Sequence, residues 1–183
     1  MSVIHNFKEC LEWGESVADE PFWLQVYQRA FPTLAAVTKN MSAGDAQNRG
    51  IDRVLLLQNG RSLYVDEKKR TRDYGDILLE FVSNDRTGAP GWIEKDLQID
   101  FLAYAFIPSG RCYLFPWHQL RRAWRQMGEE WKKRCRLVTA ENLTYKTHSI
   151  AVPTEELLRM VARASIIDIT PPTIVPAPTE AAP

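Results

Sequence analysis

Asp52 is followed fourteen positions later by Asp66-Glu67-Lys68, with Tyr64 and Val65 directly before the second acid. One acid, then an acid-x-Lys triplet on an adjacent strand, can bring two carboxylates onto one Mg²⁺ and stand an ammonium beside the phosphate to be cut. Strand period two places Asp66 and Lys68 on the same side. Glu67-Lys68-Lys69 offers a competing triplet on the other face, and the apolar pair before Asp66 favours Asp66 with Lys68. An acid-acid-Lys-Lys-Arg string is also what a solvated hairpin exit carries, so the bland reading stands beside the chemical one.

Neighbouring residues sharpen the chemistry. Asp52 follows Gly50-Ile51 and precedes an apolar run, at the mouth of a sheet, where an unpaired carboxylate is costly unless a cation is near. An ordinary strand-start aspartate is the alternative. Glu80 sits between Leu79 and Phe81 and can pair with Lys68 or Arg70, or reach a metal through water. Lys69, Arg70 and Arg72 add positive charge beside the triplet, and the segment 118–136 carries Arg121, Arg122, Arg125, Lys132, Lys133, Arg134 and Arg136 against Glu129 and Glu130. Such a helix suits a phosphate backbone, or is simply a solvated face.

On these residues the chain resembles the PD-(D/E)XK nuclease superfamily, with phage and mobile-element members the most similar. Asp52 matches the isolated Asp of that pattern, Asp66 the (D/E) and Lys68 the Lys; the likeness runs more loosely from Glu20 to Val152. The resemblance implies an α/β (α+β) restriction-endonuclease-like fold, a mixed central sheet flanked by helices. It further implies that Asp52, Asp66 and the main-chain carbonyl of Glu67 hold Mg²⁺, with Mn²⁺ substituting, and that Lys68 assists the attack. Glu20 would be the extra acid some members carry, although a helix N-terminus welcomes any acid. The activity implied is Mg²⁺-dependent cleavage of DNA by an endonuclease or exonuclease, with a homodimer as one way to cut both strands. The alternative is a catalytically inactive nuclease-fold protein that binds nucleic acid or a protein partner, a phage-type adaptor or inhibitor using the aromatic helix 118–136.

The elements that must position these residues follow from periodicity. Phe22, Trp23, Val26, Tyr27, Ala30 and Phe31 predict an amphipathic helix within Glu20 to Ala36, broken by Pro32, and the polar 39–50 stretch reads as a loop. Val54–Leu57 and Ser62–Val65 around Asn59-Gly60 predict a hairpin, and Asp76–Ser83 a third strand, giving a three-stranded antiparallel meander over 52–83. Trp92 to Leu102 is either a short helix or a polar loop. Ala103–Ile107 and Cys112–Phe115 form a second hairpin around Ser109-Gly110. Leu120, Trp124, Met127 and Trp131 mark one face of a helix over 118–136. Tyr145–Val152 reads as a strand and Pro153 to Ala164 as a last helix capped by Thr154.

At 183 residues, with 45% hydrophobic and 25% charged, the chain fits one domain over 1–169 and a Pro-rich extended tail over 170–183. Basic and acidic residues number 23 each, so no global field draws the protein to polyanions, and any such site must be local. Cys10, Cys112 and Cys135 are widely spaced, which argues against a disulfide framework or zinc knuckle and fits a reducing cytoplasm. No signal peptide or membrane-length apolar run is evident. His5, His118 and His148 share no metal spacing, and no phosphate-binding glycine loop occurs.

Overall fold

The computed structural model describes residues 20–39 and 50–169. The proline-rich tail, the N-terminal segment with His5 and Cys10, and most of the 39–50 loop lie outside the described residues.

Helix α1 (Glu20–Ala30) buries Phe22, Trp23, Val26 and Tyr27 on one face, with Glu20 in its first turn. Burying each such side chain contributes on the order of 1.5–3 kcal/mol. The helix expected within Glu20 to Ala36, with its break at Pro32, ends at Ala30. Beyond Pro32 the chain becomes strand β1 (Leu34–Lys39), antiparallel to β2 (Arg53–Leu57), because ladder pairing overrides the helix preference of Leu34, Ala35 and Ala36.

β2 and β3 (Ser62–Arg70) form the expected hairpin, with Arg53 opposite Val65 and Leu55 opposite Leu63. Gly60 takes φ +81° while Asn59 stays at negative φ, and the Leu57 N–H donates to Arg61 O at 2.9 Å. This is a three-residue loop closed by a left-handed glycine rather than a two-residue Asn-Gly turn.

The meander over 52–83 is not formed. β4 (Asp76–Asn84) is a strand, but it joins a separate four-stranded sheet, and the second neighbour of β3 is β6 (Phe101–Phe106), which runs parallel to it. With β7 (Arg111–Pro116) and β10 (Ser165–Asp168), the main sheet has the order β1-β2-β3-β6-β7-β10. The smaller sheet has the order β5-β4-β9-β8, from β5 (Ala89–Pro90), β8 (Arg136–Glu141) and β9 (Lys146–Pro153). Helix α2 (Trp117–Arg134) appears as expected, and α3 (Thr154–Met160) ends earlier than Ala164. No cap is made by Thr154: its Oγ1 is buried without a partner, and Pro153 precedes the helix.

The fold is thus α+β around a mixed sheet, and alternation along the central strands serves two cores. Leu63, Val65, Ala103, Ala105, Cys112 and Leu114 face α1, where small side chains leave room for Trp23 and Tyr27. Leu102, Tyr104, Phe106, Tyr113 and Phe115 face the other way, onto β4, β9 and α2. A helix therefore covers one face, and the second sheet with α2 covers the other. The N-terminal half of β4, which β5 does not cover, meets the main sheet directly: Leu78 N–H donates to Tyr104 Oη at 3.3 Å, and Arg70 donates to Asp76 O at 3.1 Å.

Candidate functional site

Because Leu63 and Val65 face α1, the intervening Tyr64, Asp66 and Lys68 point toward the second sheet. Lys68 Nζ lies 2.6 Å from Asp66 Oδ1. Asp66 is only 3% exposed, and its Oδ2 is buried with no hydrogen-bond partner. Burial pushes its carboxyl up to about 7, with Asp52 adding to the effect and Lys68 opposing it. Burial pulls the Lys68 ammonium down, but the surrounding carboxylates of Asp66, Asp52 and Glu80 outweigh that pull and leave its pKa raised.

Asp52 stands within hydrogen-bonding reach of the Asp66 carboxyl. Its N–H donates to Val65 O at 2.9 Å, and its Oδ2 accepts the Glu67 N–H at 2.7 Å. Gly50 sets this approach: it has φ +71°, and a Cβ there would lie 2.8 Å from Leu97 Cδ2. The structure thus brings Asp52, Asp66 and Lys68 together.

Glu67 turns its side chain to the opposite face. Its Oε1 accepts from Tyr27 Oη at 2.6 Å and from Arg53 Nε at 2.9 Å, while Arg53 makes a bidentate pair with Glu20 at 2.5 and 2.8 Å. Burial raises the Glu67 carboxyl, against the lowering influence of Arg53 and Tyr27. The competing Glu67/Lys69 triplet is therefore separated from Asp66, with its acid engaged beneath α1. Glu67 contributes to the Asp66 side only through its backbone. Sequence reasoning missed Arg53 and Tyr27; the available signal was a lone arginine opening an apolar strand, a position whose side chain must enter the core with an acid partner.

Glu80 extends the cluster from β4. Burial raises its carboxyl, against the lowering influence of the Lys68 and Lys95 charges and of hydrogen bonds from the Trp92 N–H and Ser83.

The basic residues divide. Arg70 pairs with Asp76 at 2.6 Å and lies over the Tyr74 and Phe106 rings, which ties β3 to β4. Arg121 donates to Ile93 O at 2.8 Å and to Lys95 O, above the Trp117 ring. Arg72, Arg122 and Arg125 are exposed, and Lys69 is half-buried. Part of the α2 charge is answered locally, since Lys132 pairs with Glu129, Arg134 with Glu156, and Arg136, just beyond the helix, with Asp76.

Among the described residues no group of three or more His, Cys, Asp or Glu is arranged to hold a metal ion. Mg²⁺ is commonly bound by one or two carboxylates and keeps several waters, so the donor set of Asp52, Asp66 and the Glu67 carbonyl suits it. The orphaned Asp66 Oδ2 is the atom such an ion would satisfy. No helix among the described residues is long and apolar enough to cross a membrane. Comparison of the chain with family models, curated proteins and solved structures finds no match.

Proposed function

We propose that this chain is a Mg²⁺-dependent deoxyribonuclease of restriction-endonuclease-like type, acting on DNA in the cytoplasm. The observation that carries the reading is the buried Asp66, with one oxygen on Lys68 and the other without a partner, beside Asp52. Asp52, Asp66 and the main-chain carbonyl of Glu67 would hold the ion. The bound cation would polarise a phosphoryl oxygen and lower the pKa of an attacking water.

The chain's own groups do the rest. Lys68 stays cationic between Asp66 and Glu80, where its charge offsets charge developing at phosphorus. Asp52, tied by the Glu67 N–H, is oriented before any ligand arrives. Arg53 and Tyr27 grip Glu67 from behind and fix the strand that carries Asp66 and Lys68. Arg72, Arg122 and Arg125 remain exposed for backbone phosphates.

A second reading, an inactive nuclease-fold protein that binds nucleic acid or a protein, is favoured by the closure of Asp66, whose neighbours leave it 3% exposed. Calorimetric titration with Mn²⁺, together with cleavage assays on linear, supercoiled, single-stranded and branched DNA, separates the two. Nuclease function requires Mn²⁺ binding that Asp66→Asn abolishes and cleavage that depends on the metal. No cleavage of any substrate, with identical titrations for wild type and variant, returns the binding-protein reading.

A further inference from the structure

Asp52, Val54 and Leu56 share a face of the main sheet with Tyr64, Asp66 and Lys68, because Val54 stands opposite Tyr64 while Leu55 and Leu63 look toward α1. Val54 is half-buried, and Leu56 and Tyr64 are 41% and 40% exposed. β1 carries this surface outward, with Thr38 opposite Val54 and Ala36 opposite Leu56, both exposed. The small sheet meets β3 at its other end, where Arg70 pairs with Asp76. A largely apolar surface therefore runs from the edge of the main sheet to Tyr64, and the next residue of β3 on that face is Asp66.

The backbone of Tyr64 is fixed. Its N–H donates to Asp100 Oδ2 at 2.8 Å and its carbonyl accepts the Asp100 N–H at 2.8 Å, while Asp100 O accepts the N–H of Trp117 at the start of α2. Two residues along a strand, its Cα lies about 6.6 Å from that of Asp66. Around the Lys68 ammonium stand the carboxyl groups of Asp66, Asp52 and Glu80. A phosphate chain is therefore not held here by side-chain charge alone, and retaining it takes a contact that needs no charge. A half-exposed aromatic ring beside the site supplies one by stacking on a base. A duplex keeps its base faces inside the stack, so only an unpaired nucleotide can present one to a ring fixed on a sheet.

We propose that Tyr64 is the base-stacking platform of this site and that its substrate is single-stranded DNA, with an unpaired base on the Tyr64 ring while an adjoining phosphate reaches Asp52, Asp66 and Lys68. This rests on the nuclease reading and names its substrate class.

The test is fluorescence anisotropy with a fluorescein-labelled 20-base oligothymidylate and the same strand paired with its complement, in EDTA and separately in Ca²⁺. Tyr64→Ala should weaken single-strand binding by about 5- to 150-fold and change duplex binding by less than about twofold. Tyr64→Phe should bind as the wild type does, and Tyr64→Leu, apolar but without a π-face, should fall with Tyr64→Ala. Leu137→Ala, exposed on β8, should change neither affinity. Thermal melting reports whether each variant is folded, and Tyr64→Leu, which keeps a large apolar side chain, takes the place of Tyr64→Ala if the latter unfolds. Single-strand affinity that survives in Tyr64→Leu, or a loss shared equally by both probes, would overturn the stacking assignment and leave the nuclease reading standing. Absence of wild-type binding to both probes in both buffers would overturn the two together.

Discussion

Asp66→Asn tests the site without any reaction. The Asp66 carboxyl rises from its ordinary 3.8 to about 7, because burial outweighs the attraction of Lys68. At about 1.36 kcal/mol per pH unit, the ionised form is disfavoured in the folded chain by up to ~4 kcal/mol relative to the unfolded one. The sign follows from proton uptake. The folded chain keeps this proton up to about 7, whereas the unfolded chain releases it near 3.8, so this contribution to stability is full below 3.8 and is lost as pH rises through 7. Glu67 and Glu80, both raised by burial, push the same way, and Glu20, lowered by its hydrogen bond with Arg53, pushes against them. The amide introduced by Asp66→Asn cannot titrate. In urea denaturation without metal, the stability of Asp66→Asn relative to wild type should therefore climb by ~2–4 kcal/mol between pH 4 and pH 8. In a chain of this size that corresponds to a melting-temperature difference of about 5–15 °C. Mg²⁺ at pH 8 should raise wild-type stability and leave the variant unmoved. A variant whose stability relative to wild type stays level or falls between pH 4 and pH 8 would refute the raised, buried carboxylate.

Lys68→Ala should abolish metal-dependent DNA cleavage while circular dichroism shows the fold retained, since the side chain is 31% exposed. Arg53→Met should cost about 3–5 kcal/mol in urea denaturation, because Glu67 and Glu20 lose the cation that answers them. In Gly91→Ala, the segment after β5 must shift away from Glu80 O, and a loss of about 1–3 kcal/mol should be read by thermal melting. Arg122→Ala, at an exposed position, should weaken DNA affinity and flatten its salt dependence, leaving the rate of the chemical step unchanged in single-turnover assays.

The local chemistry of the triplet was legible because period two is decisive over three residues: Asp66 and Lys68 had to share a face, and they do. The hairpins at Gly60 and Gly110, and α2 with its buried Leu120, Trp124 and Trp131, were legible for the same reason, since turn and pattern are both local. What escaped was partnership. Ile77, Leu79 and Phe81 announce a strand but say nothing of its neighbour, which is β9, far along the chain. β8 and β10 are short and mostly exposed edge strands, so their residues carry little alternation. The Arg53–Glu67–Tyr27 network was invisible because its members are brought together from three elements only once the sheet and α1 are packed.

The placement of β4 has a kinetic consequence. Asp76 pairs with Pro153 and Leu79 with Ile150, so this strand leaves the ribosome long before the strand that completes its ladder. Until then its backbone is held by β5, by the Gly91 and Ile93 N–H groups, and where Tyr104 and Arg70 meet it. A chain halted ahead of Lys146 carries the complete β2–β3 hairpin beside a β4 whose β9 side is still unpaired. An open strand side of this kind is a template for pairing with other chains, so truncated products are exposed to aggregation.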